Sequence, residues 1–364
     1  MSLPFTSLVA SLPSAIPFVG PESIERKAGA RFKARVGANE SAFGVSPIAV
    51  SAMKDAVEGL AWYNDPENHD LRQALAKHHG IASSEIAIAA GIDDLLSLAV
   101  RAFIDRGKSA VASLGAYPTF IYHLNGFGCR FSSAPYTDGR NDLDALSELA
   151  QAPDVRIVYL SNPDNPTGTW FSGSNITSFV NALPDHCIVI LDEAYTEFAP
   201  EDAAPPIHPI HPRVIRMRTF SKAHGLAGAR VGYAICSSEI ATGFDKIRLH
   251  FGVNRIAQVG ALASLGDPDF VTSVVSQVAE GRNDYALLGE EVGLPTLPSA
   301  TNFVTFDAGT AGRADSILNG LINQRVFVRK PRAAPLDQYF RVTVGRSEER
   351  TIFADHLRTI LKSK

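Results

Sequence analysis

Between residues 85 and 235 short apolar runs alternate with longer amphipathic stretches. "EIAIAA" (85–90) predicts a strand, and "IDDLLSLAVRAFI" (92–104), apolar at helical spacing, predicts a helix behind it. "SAVASL" (109–114) reads as a strand and "DLDALSELAQ" (142–151) as a helix. "VRIVYLS" (155–161), rich in β-branched residues, is a strand; "NITSFVNAL" is helical, and "CIVILDEAY" opens with a buried strand. "VIRMRTF" and "RVGYAI" add two more. Runs that are apolar throughout, separated by helices, predict an α/β fold whose large sheet is mixed, mostly parallel and covered by helices. In such sheets function gathers in the loops beyond the strand ends.

The flanks are patterned differently. Residues 47–80 hold two predicted helices joined by "WYNDPEN". After about residue 245 the chain is mainly helical as far as "GLPTLPSATNFVTF", followed by the short strands "RVFVRK" and "YFRVTVG" and a last helix from Ser347, with Glu348 and Glu349 in its first turn. This predicts a large domain at 45–245 and a smaller α+β domain at 246–364, to which residues 1–44 contribute an arm and part of the packing. Prolines at 4, 13 and 17 interrupt the first segment, which reads as an extended arm rather than a signal peptide.

Composition narrows the class. At 45% hydrophobic, 20% charged and a net charge of −4, the chain carries no basic cluster for nucleic acid, and no apolar run approaches a membrane span. Cys129, Cys187 and Cys236 lie far apart without C-x-x-C spacing, which predicts free thiols and a cytoplasmic setting. The histidines, including His208 and His211 in "PPIHPIHP" and the pair His78 and His79 before Gly80, form no metal-ligand pattern.

Five loop segments carry candidate chemistry. "RTFSKAHGLAGARVGY" (218–233) sets Lys222 between the hydroxyls of Thr219 and Ser221, with Arg230 and several glycines after it. An amine beside phosphate-binding groups suits pyridoxal phosphate, which joins a lysine as a Schiff base and is anchored by its phosphate. A Walker loop is excluded, because G-x-x-x-x-G-K-[ST] does not occur. In "IVILDEAY" (188–195), Asp192 ends an apolar strand, where a carboxylate needs a partner; a protonated pyridine nitrogen is one, a turn cap another. Tyr195 offers a phenol to a ring oxygen, or simply packs in the core. "SNPDNPTG" (161–168) puts the Asn165 amide just past a strand. In "AAGIDDLL" (89–96), Gly91 leads into a helix whose first N–H groups, on Ile92, Asp93 and Asp94, can bind an anion or be capped by the aspartates. In "GAYPTF" (115–120), Tyr117 can stack on a flat ring or pack as a loop aromatic.

Taken together these segments resemble the fold-type-I pyridoxal-phosphate aminotransferases, and within them the histidinol-phosphate aminotransferase-like group. "WYNDPENHDLR", "ANESAFGVSP", "TNFV" and "FRVTVG" are similar to further signatures of that group, so the likeness runs from about residue 37 to 350. It implies that Lys222 is the Schiff-base lysine and the base. Asp192 contacts the pyridine nitrogen, Asn165 and Tyr195 hold the ring oxygen, and Tyr117 stacks on the ring. Thr219, Ser221, Arg230 and the turn Gly91–Asp94 bind phosphate. Tyr63 reaches the phosphate from a neighbouring subunit, which implies a homodimer with a shared site. Arg341 takes the substrate carboxylate, Arg329 lies near a substrate phosphate, and Asn39 belongs to the substrate side. The implied reaction moves an amino group from histidinol phosphate, an aromatic or another amino acid to a 2-oxo acid such as 2-oxoglutarate. A decarboxylase of the threonine-phosphate type shares the lysine, aspartate and arginine and is the alternative. The sequence departs from the pattern at Ser41-Ala42, where the group has Asn-Pro beside the substrate, and at Gly115 and His224.

Overall fold

A computed structural model describes residues 3–13 and 19–362. Its centre is a seven-stranded sheet in the order Ile86–Ala89, Gly232–Ile235, Val214–Thr219, Ile188–Asp192, Val155–Ser161, Ser109–Ser113, Arg130–Ala134. The pairs are parallel except the two made by Gly232–Ile235. Strands that read as unbroken apolar runs are buried on both faces, as a sheet covered by helices requires. The exception in direction has a simple cause. Thr219 pairs with Gly232, so the segment between them is a turn at one end of the sheet rather than a crossover, and the chain returns antiparallel. Lys222 and Arg230 lie in that turn, at the carboxyl ends of the parallel strands.

The helices begin where polar side chains can cap them. Asp142 accepts from the Ala145 N–H, Ser172 from Asn175, and Ser237 from Ile240. Two elements escape the apolar pattern. Pro118–Phe127 is a helix, because proline at its first position uses a site with no intrahelical partner for an N–H. Arg130–Ala134 is an edge strand with Arg130 and Ser132 on its exposed positions.

Phe303–Asp307 pairs antiparallel with Tyr339–Thr343; the helices Pro268–Val292 and Ala311–Asn323 pack beside this ribbon, and Ser347–Lys362 packs against both helices. Ala34–Arg35 pairs parallel with Val326–Phe327, which ties an early segment to a late one. The first residues differ from the extended arm expected. They form helices at Ser7–Ser11, capped by the Thr6 hydroxyl, and at Pro21–Ala28, closed by left-handed Gly29. Pro4 and Pro13 flank the first helix rather than interrupt it; Pro17 lies outside the described residues.

Candidate active site

Five loops from the carboxyl ends of strands converge with residues 39, 329 and 341. Asp192, the last residue of its strand, is 4% exposed. Its Oδ2 accepts the Tyr159 hydroxyl at 2.7 Å and its Oδ1 the Ala194 N–H at 3.1 Å. Burial raises its pKa to about 6, against the pull of the Tyr159 hydrogen bond.

Lys222 directs Nζ at the backbone carbonyl of Asn39, 3.0 Å away, and stands 5.6 Å from the centre of the Tyr195 ring. Burial, with Arg341 and Arg230 nearby, lowers its pKa to about 8. The Tyr195 hydroxyl accepts from Asn39 Nδ2 at 2.8 Å, and its ring meets Phe303 edge-on at 5.5 Å. Burial pushes this phenol up to about 12. Because Asn39 fills an acceptor position, the Tyr195 proton is left to donate elsewhere.

Asn39 is held at a left-handed φ of 56°. Its N–H donates to Thr343 Oγ1 at 3.0 Å, its Oδ1 accepts from the same hydroxyl at 3.1 Å, and its carbonyl also accepts Asn302 Nδ2 at 3.1 Å. The side chain is thus engaged by Tyr195 and Thr343, and the carbonyl faces the lysine.

Arg341 donates to Asn165 Oδ1, which leaves the Asn165 NH₂ free to face the cavity, and its guanidinium lies 4.9 Å over Phe303. Its Nε is buried without a hydrogen-bond partner. Burial, with Arg329 beside it, lowers its pKa to about 10. Arg329 and Arg341 exchange backbone hydrogen bonds, so the two cations are neighbours; Arg329 also donates to the Val19 carbonyl.

A second cluster surrounds Gly91. Thr219 Oγ1 donates to Ser221 Oγ at 2.9 Å, which leaves the Ser221 proton directed elsewhere. Asp93 accepts the Tyr117 hydroxyl at 2.9 Å and Arg230 at 3.4 Å. Burial, with Asp93 close by, pushes the Tyr117 phenol well up. Asp94 caps the Ala90 N–H at 3.0 Å. Gly91 has φ 88°, and a Cβ there would lie 2.6 Å from Arg230 Nη2.

Tyr63 stands apart. It is 79% exposed, beside Trp62 at 72%, and its ring contacts Phe251 at 4.6 Å. Sequence reasoning missed Tyr159, Asn302 and Thr343. Tyr159 reaches the site through register: Ser161 pairs with Asp192, and two residues back along the strand is the same face of the sheet.

A buried carboxylate, a buried lysine, and hydroxyl and arginine groups at a helix start are the groups a pyridoxal-phosphate enzyme uses. Residues 33–357 match the family "Aminotransferase class I and II", and the chain belongs to it: it is a pyridoxal-phosphate-dependent aminotransferase of fold type I. The crystal structure of histidinol-phosphate aminotransferase from Sinorhizobium meliloti in complex with pyridoxal-5′-phosphate is 44% identical, with a TM-score of 0.96, over 100% of this chain and 99% of that one. Histidinol-phosphate aminotransferase 2 of Methylococcus capsulatus is 34% identical over 351 residues, 93% of each chain. Histidinol-phosphate aminotransferase of Geobacillus thermodenitrificans is 32% identical over 97% of each. No helix among the described residues is long and apolar enough to cross a membrane.

Proposed function

We propose that this aminotransferase takes histidinol phosphate as amino donor and a 2-oxo acid such as 2-oxoglutarate as acceptor, in the cytoplasm. The observation that carries the donor is the end-to-end likeness, at 44% identity, to the Sinorhizobium meliloti enzyme of that name. The paired cations Arg329 and Arg341 support it, since both suit an anionic substrate and one holds an unspent buried N–H.

The residues present fit pyridoxal phosphate. Arg230, Ser221 (oriented by the Thr219 hydroxyl) and the N–H groups after Gly91 (Ile92, Asp93, Asp94) supply donors for its phosphate, and only a glycine fits at 91. Asn165 and Tyr195 each keep one proton for its ring oxygen. Tyr117, its hydroxyl tied to Asp93, offers its face to the ring. Asp192 meets the ring nitrogen. When bound, the cofactor supplies an aldehyde carbon that takes up the substrate amine and a ring that accepts the electrons of the broken α-carbon–hydrogen bond.

Everything else is done by the chain. Lys222 Nζ, an amine that burial makes less basic, would take the α-proton and return it to the former aldehyde carbon, across the intervening nitrogen. The Asn39 carbonyl orients that nitrogen. Asp192, kept ionised, favours a protonated ring nitrogen. Arg341 holds the carboxylate of the 2-oxo acid in a fixed orientation. Residues 45–245 form the cofactor domain in this reading, and 1–44 with 246–364 the substrate side. A second subunit brings Tyr63 to the phosphate in a homodimer, and the exposed Trp62, Tyr63 and Leu249 suit such an interface.

The test mixes cofactor-loaded protein with histidinol phosphate alone. The absorbance of the aldehyde form should be lost in one turnover and restored by 2-oxoglutarate. Absorbance that stays put rejects this donor. Carbon dioxide released from a phosphorylated amino acid, with no need of a 2-oxo acid, would establish the decarboxylase instead.

A further inference from the structure

Asp192 is the one site carboxylate that a ring nitrogen would meet, yet its strand gives it no cation. Its hydrogen bonds come from the Ala194 N–H and from Tyr159 on the adjacent parallel strand. Parallel register fixes that second contact: Tyr159 lies opposite Ile190 and Ser161 opposite Asp192, so Tyr159 and Asp192 share a face. The phenol is 1% exposed and its ring stacks on Phe120, with centroids 4.9 Å apart and planes 17° from parallel. Packed in this way the hydroxyl is held at 2.7 Å from Oδ2, where its proton goes to the carboxylate.

We propose that Tyr159 is a positioning residue of the reaction. Its hydroxyl holds Asp192 ionised and aimed at the site, and Phe120 locks the tyrosine that does so. The proposal rests on the cofactor reading above, because Asp192 matters only if a ring nitrogen meets it. A neutral phenol donating to a carboxylate favours the charged form, and it does so more strongly away from water. Other groups also bear on Asp192. Lys222, from the turn after Val214–Thr219, stabilises its charge. Asp93, from the helix Ile92–Phe103, opposes it, and Tyr195 faces it from its own loop. Tyr117, at the start of Pro118–Phe127, bears on Tyr159. Among these, Tyr159 alone donates a proton directly to the carboxylate. Burial already raises Asp192, so losing that hydrogen bond raises it further.

The experiment is Tyr159→Phe, which keeps the ring and its stacking. Carbon-13 labelling of aspartate side chains in the apoprotein, with Asp192→Asn to assign the signal, reads the titration directly. The Asp192 midpoint should rise by roughly one to two pH units. In the loaded enzyme a protonated ring nitrogen would add its own charge beside the carboxylate, so there the variant should lower kcat several-fold while KM for the donor changes little. The sign in the apoprotein follows from the charge: removing a donor to the carboxylate disfavours its ionised form and raises the midpoint. An unchanged Asp192 midpoint in a variant that melts like the parent overturns the proposal. Failure of the cofactor reading would look different, since the parent protein itself would then take up no pyridoxal phosphate.

Discussion

Replacing Gly91 by alanine tests two consequences of one geometry. The residue sits at φ 88° and ψ 175°, a region that side chains other than glycine's hydrogen scarcely enter. Forcing alanine to stay there costs about 1–3 kcal/mol of stability. The new methyl would also stand 2.6 Å from Arg230 Nη2, so the guanidinium has to shift from the position that suits the phosphate. A charge-assisted hydrogen bond to phosphate contributes about 1.5–3 kcal/mol, so its loss weakens cofactor binding by roughly ten- to a hundredfold. Denaturant unfolding of the apoprotein measures the first effect, and a fluorescence titration with pyridoxal phosphate the second. The route through Arg230 is checked by a double-mutant cycle with Arg230→Ala. If the methyl acts by displacing the guanidinium, the two losses of affinity overlap and do not sum. Parental stability and affinity in Gly91→Ala, or losses that add in full, would refute the reasoning.

Two further outcomes follow from the site. Burial lowers Lys222 to about 8 from the usual 10.5, so in the apoprotein an amine-directed reagent should modify it with a rate rising through pH 8, well below other lysines, as peptide mapping would show. The same shift predicts that apoprotein stability rises between pH 8 and 10.5, because there the unfolded chain holds the proton and the folded one does not; Lys222→Met should abolish that gain. Tyr63→Ala removes a ring whose contact within the chain is Phe251, so the subunit fold should survive while pyridoxal phosphate binds several-fold more weakly. Sedimentation across dilutions should find the parent dimeric at micromolar concentration, and a monomer with full cofactor affinity would end the shared-site reading.

Six of the seven strands of the sheet were legible because they are short and apolar and each is followed by turn residues; the polar edge strand Arg130–Ala134 was not. The Lys222 segment was legible for a similar reason: chemistry confined to one loop leaves a local trace. What stayed hidden is what depends on register or distant partners. Nothing local in "VRIVYLS" marks Tyr159 as more than a core aromatic, and only its pairing with "IVILD" brings it to Asp192. Asn39 read as part of a substrate-side motif, but its carbonyl and side chain are taken up by Lys222, Tyr195 and Thr343, from three remote segments. The prolines near the start suggested an extended arm, yet Pro21 begins a helix at the one position where proline is favoured.

The hydrogen bonds of Asn39 span 304 residues to Thr343 and 263 to Asn302. Contacts that far apart along the chain carry a larger loop-closure cost than the local helices do. The carbonyl that receives Lys222 is therefore set by the docking of segments remote in sequence. Burial is what makes this amine less basic, so an amine-directed probe applied during refolding would report when the lysine becomes enclosed.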